Sequence, residues 1–164
     1  MPDAAKPSTR QLDEAELDAL VELDAVAHLA TIAPSGFPRV TPIWFLWTDG
    51  AFYMTSVDAA AHVADLRRDT RSAICIDIED TDPTDFGIRP NASVRACGTA
   101  LLSRDVDGYW TRRITRKYIP GESGLRRADY RAQMERTVIQ LRPTQLIARG
   151  TAERCALYQP TSRR

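Results

Sequence analysis

The sequence predicts a mainly β fold of the α+β class, in which six or seven strands form an antiparallel barrel with peripheral helices. Short segments of β-branched, aromatic or alternating character recur along the chain, and turn residues separate them. Short hairpins between such segments are typical of antiparallel barrels. A length of 164 residues indicates one domain with a sizeable core.

Residues 39–47 form the segment around which the other elements are arranged. We predict one extended strand here, since Pro42 is incompatible with a helix interior and its neighbours are β-branched or aromatic. The Asp49-Gly50 pair is a strong hairpin signal, and residues 51–56 form the returning strand. Because proline has no N–H for the sheet, the first strand is expected at a rim, an edge or a bulge, where backbone is free to face a ligand.

Hydrophobic periodicity and Gly or Pro breaks define the remaining elements. Helices are predicted at 11–24, 58–69, 105–118 and 126–135, and strands at 26–33, 71–79, 93–103, 137–142 and 145–150. Asp58 is the expected N-cap of the second helix, and Gly98 indicates a bulge or a close approach of backbone. We divide the chain into a flexible N-terminus (1–10), a single domain (11–150) and a polar C-terminal tail (151–164).

Charge and cysteine content restrict the class of protein. With 22 basic and 22 acidic residues, no net charge directs the chain to nucleic acid or to a membrane, and we expect neither as a partner. Three cysteines without a CxxC pair favour a reducing, cytoplasmic location over a disulfide framework or a zinc site. Two histidines argue against a multi-histidine metal centre. No apolar run has the length of a membrane span or of a signal-peptide core.

Several short motifs, taken in order, resemble a known family. They are Leu29-Ala30-Thr31-Ile32, the Pro34-Ser35-Gly36 turn, Arg39-Val40-Thr41-Pro42-Ile43-Trp44-Phe45, the Asp-Gly turn, Met54-Thr55-Ser56, Leu66-Arg67-Arg68-Asp69-Thr70-Arg71 and Gly98-Thr99-Ala100. The ordered set resembles the FMN-binding split β-barrel, or pyridoxamine 5′-phosphate oxidase-like, superfamily, and in particular its actinobacterial flavin and deazaflavin reductase branch. The resemblance covers residues 26–102 well and the C-terminal part loosely.

The resemblance implies an antiparallel split β-barrel that forms a homodimer with two cofactor sites at the subunit interface. It implies FMN as the cofactor, with the 8-hydroxy-5-deazaflavin coenzyme as the alternative. The implied cofactor-binding residues are Arg39, Thr55, Ser56 and His62 at the phosphate, Thr41, Pro42 and Ile43 along the ring system, and Trp44 on the substrate side. A helix N-terminus after Ser56 would add backbone N–H donors for the phosphate.

One helix departs from the family pattern. Where the family carries Ser-Arg-Lys, this chain has Ala60-Ala61-His62, which removes two polar anchors and replaces a lysine by a histidine. Asp58 is expected to repel a phosphate, and Asp58 or Asp65 to raise the pKa of His62. The sequence is equally compatible with His62 as a phosphate ligand and with His62 as a surface residue paired to one of these aspartates.

The expected function is that of a flavin- or deazaflavin-dependent oxidoreductase, which transfers a hydride to or from a small conjugated substrate. No catalytic residue is identified. Pyridoxamine phosphate is not the expected substrate, because Trp44 occupies the position of a second basic residue and the C-terminal arginine motif is not evident. Two alternatives remain open, namely a non-catalytic flavin or haem binding protein and a cofactor-free enzyme that uses the altered pocket. Trp44 and Trp47 fall on opposite strand faces, so we expect one in the core and one at a pocket or interface.

Overall fold

Within residues 8–84, 87–152 and 154–158, the part of the chain that the computed structural model describes, there are eight strands and four α-helices. The strands are β1 (Thr9–Gln11), β2 (Ala27–Ile32), β3 (Pro38–Ile43), β4 (Phe45–Thr48), β5 (Ala51–Val57), β6 (Arg71–Glu79), β7 (Asn91–Arg104) and β8 (Arg136–Thr151). The helices are α1 (Glu14–Glu22), α2 (Ala61–Arg68), α3 (Tyr109–Tyr118) and α4 (Gly121–Ala132), and a 3₁₀ turn (Val106–Gly108) precedes α3.

The strands form one antiparallel sheet in the order β3-β2-β6-β7-β8-β5-β4, and β1 pairs with β8 outside this order. β3 and β4 lie at opposite ends of the sheet, although only Trp44 separates them in the sequence. The sheet therefore curls until its ends approach each other. This curled half-barrel with peripheral helices confirms the predicted split-barrel fold.

The prediction of a single strand at 39–47 is wrong, because the chain changes its pairing partner at Trp44. β3 pairs with β2, where Pro42 stands opposite His28, whereas β4 pairs with β5. Since β3 has a neighbour on one side only, Pro42 lies in an edge strand, as its missing N–H favours. The split and β1 each add one strand to the seven predicted segments, and the merger of the two C-terminal segments into β8 removes one.

Two backbone predictions that depend on glycine are confirmed. Asp49 and Gly50 have φ angles of 53° and 68°, which a two-residue type I′ hairpin requires. At Gly98 the register between β7 and β8 shifts, and a Cβ atom there would lie 2.6 Å from the carbonyl oxygen of Arg142. The two C-terminal strands that we predicted separately are one strand, β8, which continues through this irregularity.

The helices differ from prediction at their starts. α2 begins at Ala61 with Ala60 as its N-cap, so the assignment of Asp58 as the cap is wrong. The Asp58 carboxylate instead accepts hydrogen bonds from Arg67 and, at 2.6 Å, from the hydroxyl of Thr137. The helix predicted at 126–135 starts five residues earlier, because α4 begins at Gly121.

Both ends of the described chain pack on the domain. Thr9 and Arg10, which we assigned to a flexible N-terminus, pair with β8. In the segment that we assigned to a polar tail, Cys155 and Tyr158 are buried. The Cys155 thiol donates a hydrogen bond of 2.9 Å to the carboxylate of Asp80, which holds this segment against the barrel.

The inner face of the barrel is filled with aliphatic and aromatic side chains, among them Leu29, Phe45, Phe52, Met54 and Ile76. Trp47 packs on this core, with its ring centroid 4.5 Å from that of Phe52. Trp47 is therefore the core member of the two tryptophans that we compared. No helix in the described part of the chain has the length and apolar character needed to cross a bilayer.

Candidate functional site

A cavity of about 470 Å³ lies where the ends of β3 and β5 meet the starts of α2 and β8 and one face of α4. Its lining residues are Val26, Pro42, Ile43, Trp44, Thr55, Ser56, His62, Arg127, Arg131 and Arg136. Six of the eight residues predicted from the sequence are in this set. The structure thus brings together Pro42, Ile43, Trp44, Thr55, Ser56 and His62, which come from three separate elements.

Two hydroxyl groups from β5 line the cavity. Thr55 is buried, and its Oγ1 accepts a hydrogen bond of 3.1 Å from the hydroxyl of Thr111 on α3. The Thr111 backbone N–H in turn donates to the carboxylate of Asp105, which fixes the start of α3. Because Thr111 donates to it, the Thr55 hydroxyl keeps its own proton for a ligand. Ser56 is the half-buried second hydroxyl.

His62 lies in the first turn of α2 and is only 9% exposed, so the surface alternative for this residue is wrong. Its Nε2 atom has no hydrogen-bond partner within the described residues. Burial lowers the pKa of His62, nearby Asp65 opposes this shift, and the Arg39 charge reinforces it. The expected rise of this pKa is therefore also wrong, because desolvation outweighs the aspartate.

Three arginines on the cavity wall were not predicted as site residues. Arg127 and Arg131 stand four residues apart on α4, and Arg136 is the first residue of β8. Arg136 is 7% exposed and donates through Nη2 to the carbonyl oxygen of Thr55 at 2.9 Å. Burial, together with the charges of Arg136 and Arg127, lowers the pKa of Arg131 to about 10. Burial also lowers the pKa of Arg136, which Asp105 partly offsets.

The sequence contained one signal for these arginines. The four-residue spacing of Arg127 and Arg131 places both on the same helix face, and both fall within the helix predicted at 126–135. Nothing in the sequence indicates that this face turns toward β5. Arg136 had no such signal, since it lies between a predicted helix and a predicted strand.

Arg39 and Thr41, the other two predicted residues, are not among the residues that line the cavity. Arg39 donates through Nε to Asp65 at 2.7 Å, and the Thr31 hydroxyl donates to the same carboxylate oxygen at 2.9 Å. Burial opposes ionisation of Asp65, but these two hydrogen bonds keep its pKa below the usual value. Arg39 therefore anchors α2 to the barrel.

Trp44 forms the flat, apolar flank of the cavity. Its indole stacks on the ring of Tyr118 with centroids 4.7 Å apart and an interplanar angle of 5°, and the Arg131 guanidinium carbon lies 4.8 Å from the Trp44 ring centroid. The Tyr118 hydroxyl is itself fixed, because it donates to Ala25 O at 2.9 Å and accepts from the N–H of Phe45. As predicted, one tryptophan lies in the core and this one at a pocket.

The residues present fit a planar molecule that carries an anionic group. Hydroxyls and guanidiniums donate hydrogen bonds to phosphate groups, and Trp44 with Pro42 and Ile43 offers apolar surface beside them. The described residues contain no group of three or more His, Cys, Asp or Glu side chains that could hold a metal ion. The chemistry of this donor set is therefore that of anion and aromatic-ring binding.

Comparison with known proteins identifies the family. A family model described as pyridoxamine 5′-phosphate oxidase matches residues 13–150. No curated protein matches the sequence.

Solved structures with the same fold have low sequence identity to this chain. An FAD-binding protein from Mesorhizobium loti is 18% identical with a TM-score of 0.64, over 90% of this chain and 100% of that one. A structure described as an F420 reductase is 21% identical with a TM-score of 0.56, over 79% and 94%. HutZ, the haem storage protein from Vibrio cholerae, is 19% identical with a TM-score of 0.62, over 84% and 95%. At such identities the likeness shows the fold alone.

Proposed function

Because the chain belongs to the pyridoxamine 5′-phosphate oxidase family, we propose that it is an oxidoreductase that holds a flavin-type cofactor in the cavity between β3, β5, α2 and α4. One observation carries this proposal. Side chains that can donate hydrogen bonds to a phosphate line the same cavity as Trp44, whose ring is fixed by stacking on Tyr118. When bound, such a cofactor supplies the hydride chemistry, and the protein binds it, orients it and excludes water.

Each part of the cavity has a defined role in this proposal. Thr55 and Ser56 donate hydrogen bonds to the anionic end of the cofactor. Pro42 and Ile43 lie along the ring system, and Trp44 limits the space left for a small, planar, conjugated substrate. Since Tyr118 holds the Trp44 ring in place, this wall is preorganised and little ordering is needed on binding.

FMN is the cofactor that we propose first, and the 8-hydroxy-5-deazaflavin coenzyme second. Both carry a phosphate group, so the hydroxyl and guanidinium donors suit either of them. Proteins of the same fold are described as an FAD-binding protein and as an F420 reductase, which supports a flavin-type ligand in general.

Haem storage is the second candidate function. The buried, unpartnered Nε2 of His62 is the kind of atom that ligates haem iron, and arginines commonly pair with carboxylates such as haem propionates. One protein of the same fold is described as a haem storage protein. A cofactor-free enzyme using the same pocket is the third possibility.

We further propose that the protein is a homodimer. An apolar cavity of about 330 Å³ lies on the outer face of the sheet, with Ala30, Val40, Ala73 and Ile147 in its lining. Val40 and Pro42 point to the same side of β3, so this outer surface is continuous with the open side of the candidate site. A second copy seated there would close the site. Light scattering should give a dimer mass, and Val40→Asp should shift it to a monomer; a monomeric parent would refute this proposal.

A cytoplasmic location is also proposed. Cys75, Cys97 and Cys155 are free thiols in the structure, which suits a reducing compartment. Fractionation of cells that express the protein would test this proposal directly.

The visible spectrum of the purified protein, with mass spectrometry of any released molecule, tests the main proposal. We expect flavin-type absorbance, or its appearance on addition of FMN, together with turnover when a reduced nicotinamide or a reduced deazaflavin is the donor. A haem spectrum without turnover would favour storage. Absence of any spectral change with FMN, the deazaflavin coenzyme or haem would refute both of these functions.

A further inference from the structure

Three arginines reach the candidate site from elements to which the family resemblance assigned no cofactor contact. Arg127 and Arg131 lie one turn apart on α4, and Arg136 is the first residue of β8. We propose, on the basis of the function proposed above, that these three residues hold the phosphate group of the cofactor, in place of the Ser-Arg-Lys side chains that α2 lacks. The positive charge that holds the phosphate thus lies on α4 and β8 instead of on α2.

The positive charge of this cluster has no salt-bridge partner among the described residues, and Asp105 offsets only part of the effect of burial on the pKa of Arg136. In the described part of the chain, no carboxylate forms a salt bridge with Arg127, Arg131 or Arg136. The neighbouring Arg126, by contrast, pairs with Glu122 at 3.0 Å. Cations that crowd together without counter-charges repel one another, and a bound anion removes that repulsion.

Two nitrogen atoms at the same cavity are buried and unpartnered. These are Nε of Arg136 and Nε2 of His62, and both side chains are at least nine-tenths buried. A buried polar nitrogen without a partner is costly, and such atoms are rare in folded proteins. Two of them lining the same cavity indicate a polar ligand, and the neighbouring guanidiniums indicate that it is an anion.

The geometry of Arg136 fits it for this role. Its Nη2 atom is fixed by the carbonyl oxygen of Thr55 at 2.9 Å, which holds the guanidinium next to the Thr55 and Ser56 hydroxyls. Arg131 uses Nη1 to donate to Thr115 and retains its other N–H groups. A phosphate, with three oxygens that each accept several hydrogen bonds, matches this combination of guanidinium and hydroxyl donors.

Binding of inorganic phosphate and of FMN to four proteins tests the inference: the parent, Arg127→Gln, Arg131→Gln and, as a matched control, Arg126→Gln. Arg127 is exposed on α4, so its replacement leaves the fold intact. Thermal unfolding and calorimetric titration are the readouts. Both ligands should raise the Tm of the parent and of Arg126→Gln. Each of the other two variants should bind both ligands about ten- to a hundredfold more weakly.

The outcomes separate this inference from the proposed function. If phosphate protects the parent in an Arg131-dependent way while neither FMN nor the deazaflavin coenzyme has an effect, the anion site stands and the flavin-type function fails. If FMN binds the parent and both cavity variants with equal affinity, the inference is overturned while a flavin function survives. If inorganic phosphate, FMN and the deazaflavin coenzyme all fail to bind the parent, both are wrong.

Discussion

Helices α2 and α4 approach the same cavity but use their charged side chains in different ways. On α2, Asp65 is paired with Arg39 and Thr31, and Arg67 binds Asp58 just before the helix. On the α4 side, within the described residues, Arg131 and Arg136 donate to neutral oxygens, those of Thr115 and Thr55. Paired charges fasten an element to the fold, whereas guanidiniums without a salt bridge keep N–H groups available to a ligand.

The cationic side chains that line this cavity come from a different part of the chain from the one that the family resemblance implied. Ala60 and Ala61 cannot donate to a phosphate through their side chains, and Arg39, which the resemblance placed at the phosphate, is bound to Asp65. The donors on α4 and β8 lie across the same cavity. The charge of a site therefore has to be counted over its whole wall.

Among single replacements, that of Arg136 should lower FMN affinity the most. In Arg136→Met, affinity for FMN should fall at least about a hundredfold, since more than one charge-assisted hydrogen bond is lost. The free energy of unfolding of the ligand-free protein should change by less than about 1 kcal/mol, because the lost bond to Thr55 is offset by relief of a buried charge. Titration and urea denaturation measure the two quantities. Strong destabilisation with unchanged affinity would mean that Arg136 is structural.

Loss of the Ser56 hydroxyl should have the next largest effect on FMN affinity. Ser56→Ala should weaken FMN binding about tenfold, because one neutral hydroxyl that donates to a charged group is lost. Ser103, which lies away from this cavity on β7, supplies the control variant Ser103→Ala. Equal affinities for the parent and both variants would place the phosphate elsewhere.

His62 should make binding depend on pH. Burial holds the pKa of free His62 below 6.5, and a bound phosphate favours the imidazolium and raises it. Affinity should therefore fall as pH rises from the pKa of His62 in the free protein to its pKa in the complex, by at most about tenfold per pH unit for one proton. His62→Gln should remove this slope. If the variant keeps the parent's slope, another group takes up the proton.

The lowered pKa of His62 also makes the free energy of unfolding depend on pH. Between the lowered pKa of the folded protein and the ordinary value of 6.5, the unfolded chain binds more protons at His62. The ligand-free protein should therefore lose stability as pH falls below about 6.5. In denaturation curves at several pH values, His62→Gln should be less sensitive to acid than the parent in this range.

Arg39→Gln should have the smallest effect on binding. Because Arg39 is bound to Asp65 and does not line the cavity, FMN affinity should change by less than about threefold, which is under 1 kcal/mol. Its Tm should fall, since Asp65 loses a partner. A tenfold or larger loss of affinity would restore Arg39 as the anchor and contradict the contrast between α2 and α4.

Local signals in the sequence predicted much of the fold. The alternation of Ile74 and Ile76 with half-buried residues predicted β6, and the Asp49-Gly50 pair predicted the hairpin. These features depend on neighbours along the chain. The break at Trp44 was missed because it depends on closure of the whole sheet, which requires a change of pairing partner at that residue.

The candidate site was predicted less completely, for the same physical reason. Thr55, Ser56 and Trp44 were found because the family resemblance is carried by β3 and β5. Burial of His62 depends on how α2 packs against the sheet, where it contacts β2 and β7, and a sequence pattern does not show that packing. The arginines of α4 and β8 face the cavity through a tertiary arrangement of the C-terminal part, where the resemblance is loose.

The relative affinity of FMN and riboflavin tests the central claim most directly, because the two molecules differ only in the phosphate group. Equilibrium titration of the parent should give an FMN affinity about a hundredfold or more above that of riboflavin. In the double variant Arg127→Gln/Arg131→Gln this ratio should fall at least about tenfold, because Arg136 alone remains of the three arginines, whereas Arg126→Gln should keep it. Equal binding of the two molecules by the parent, or an unchanged preference in the double variant, would contradict the account.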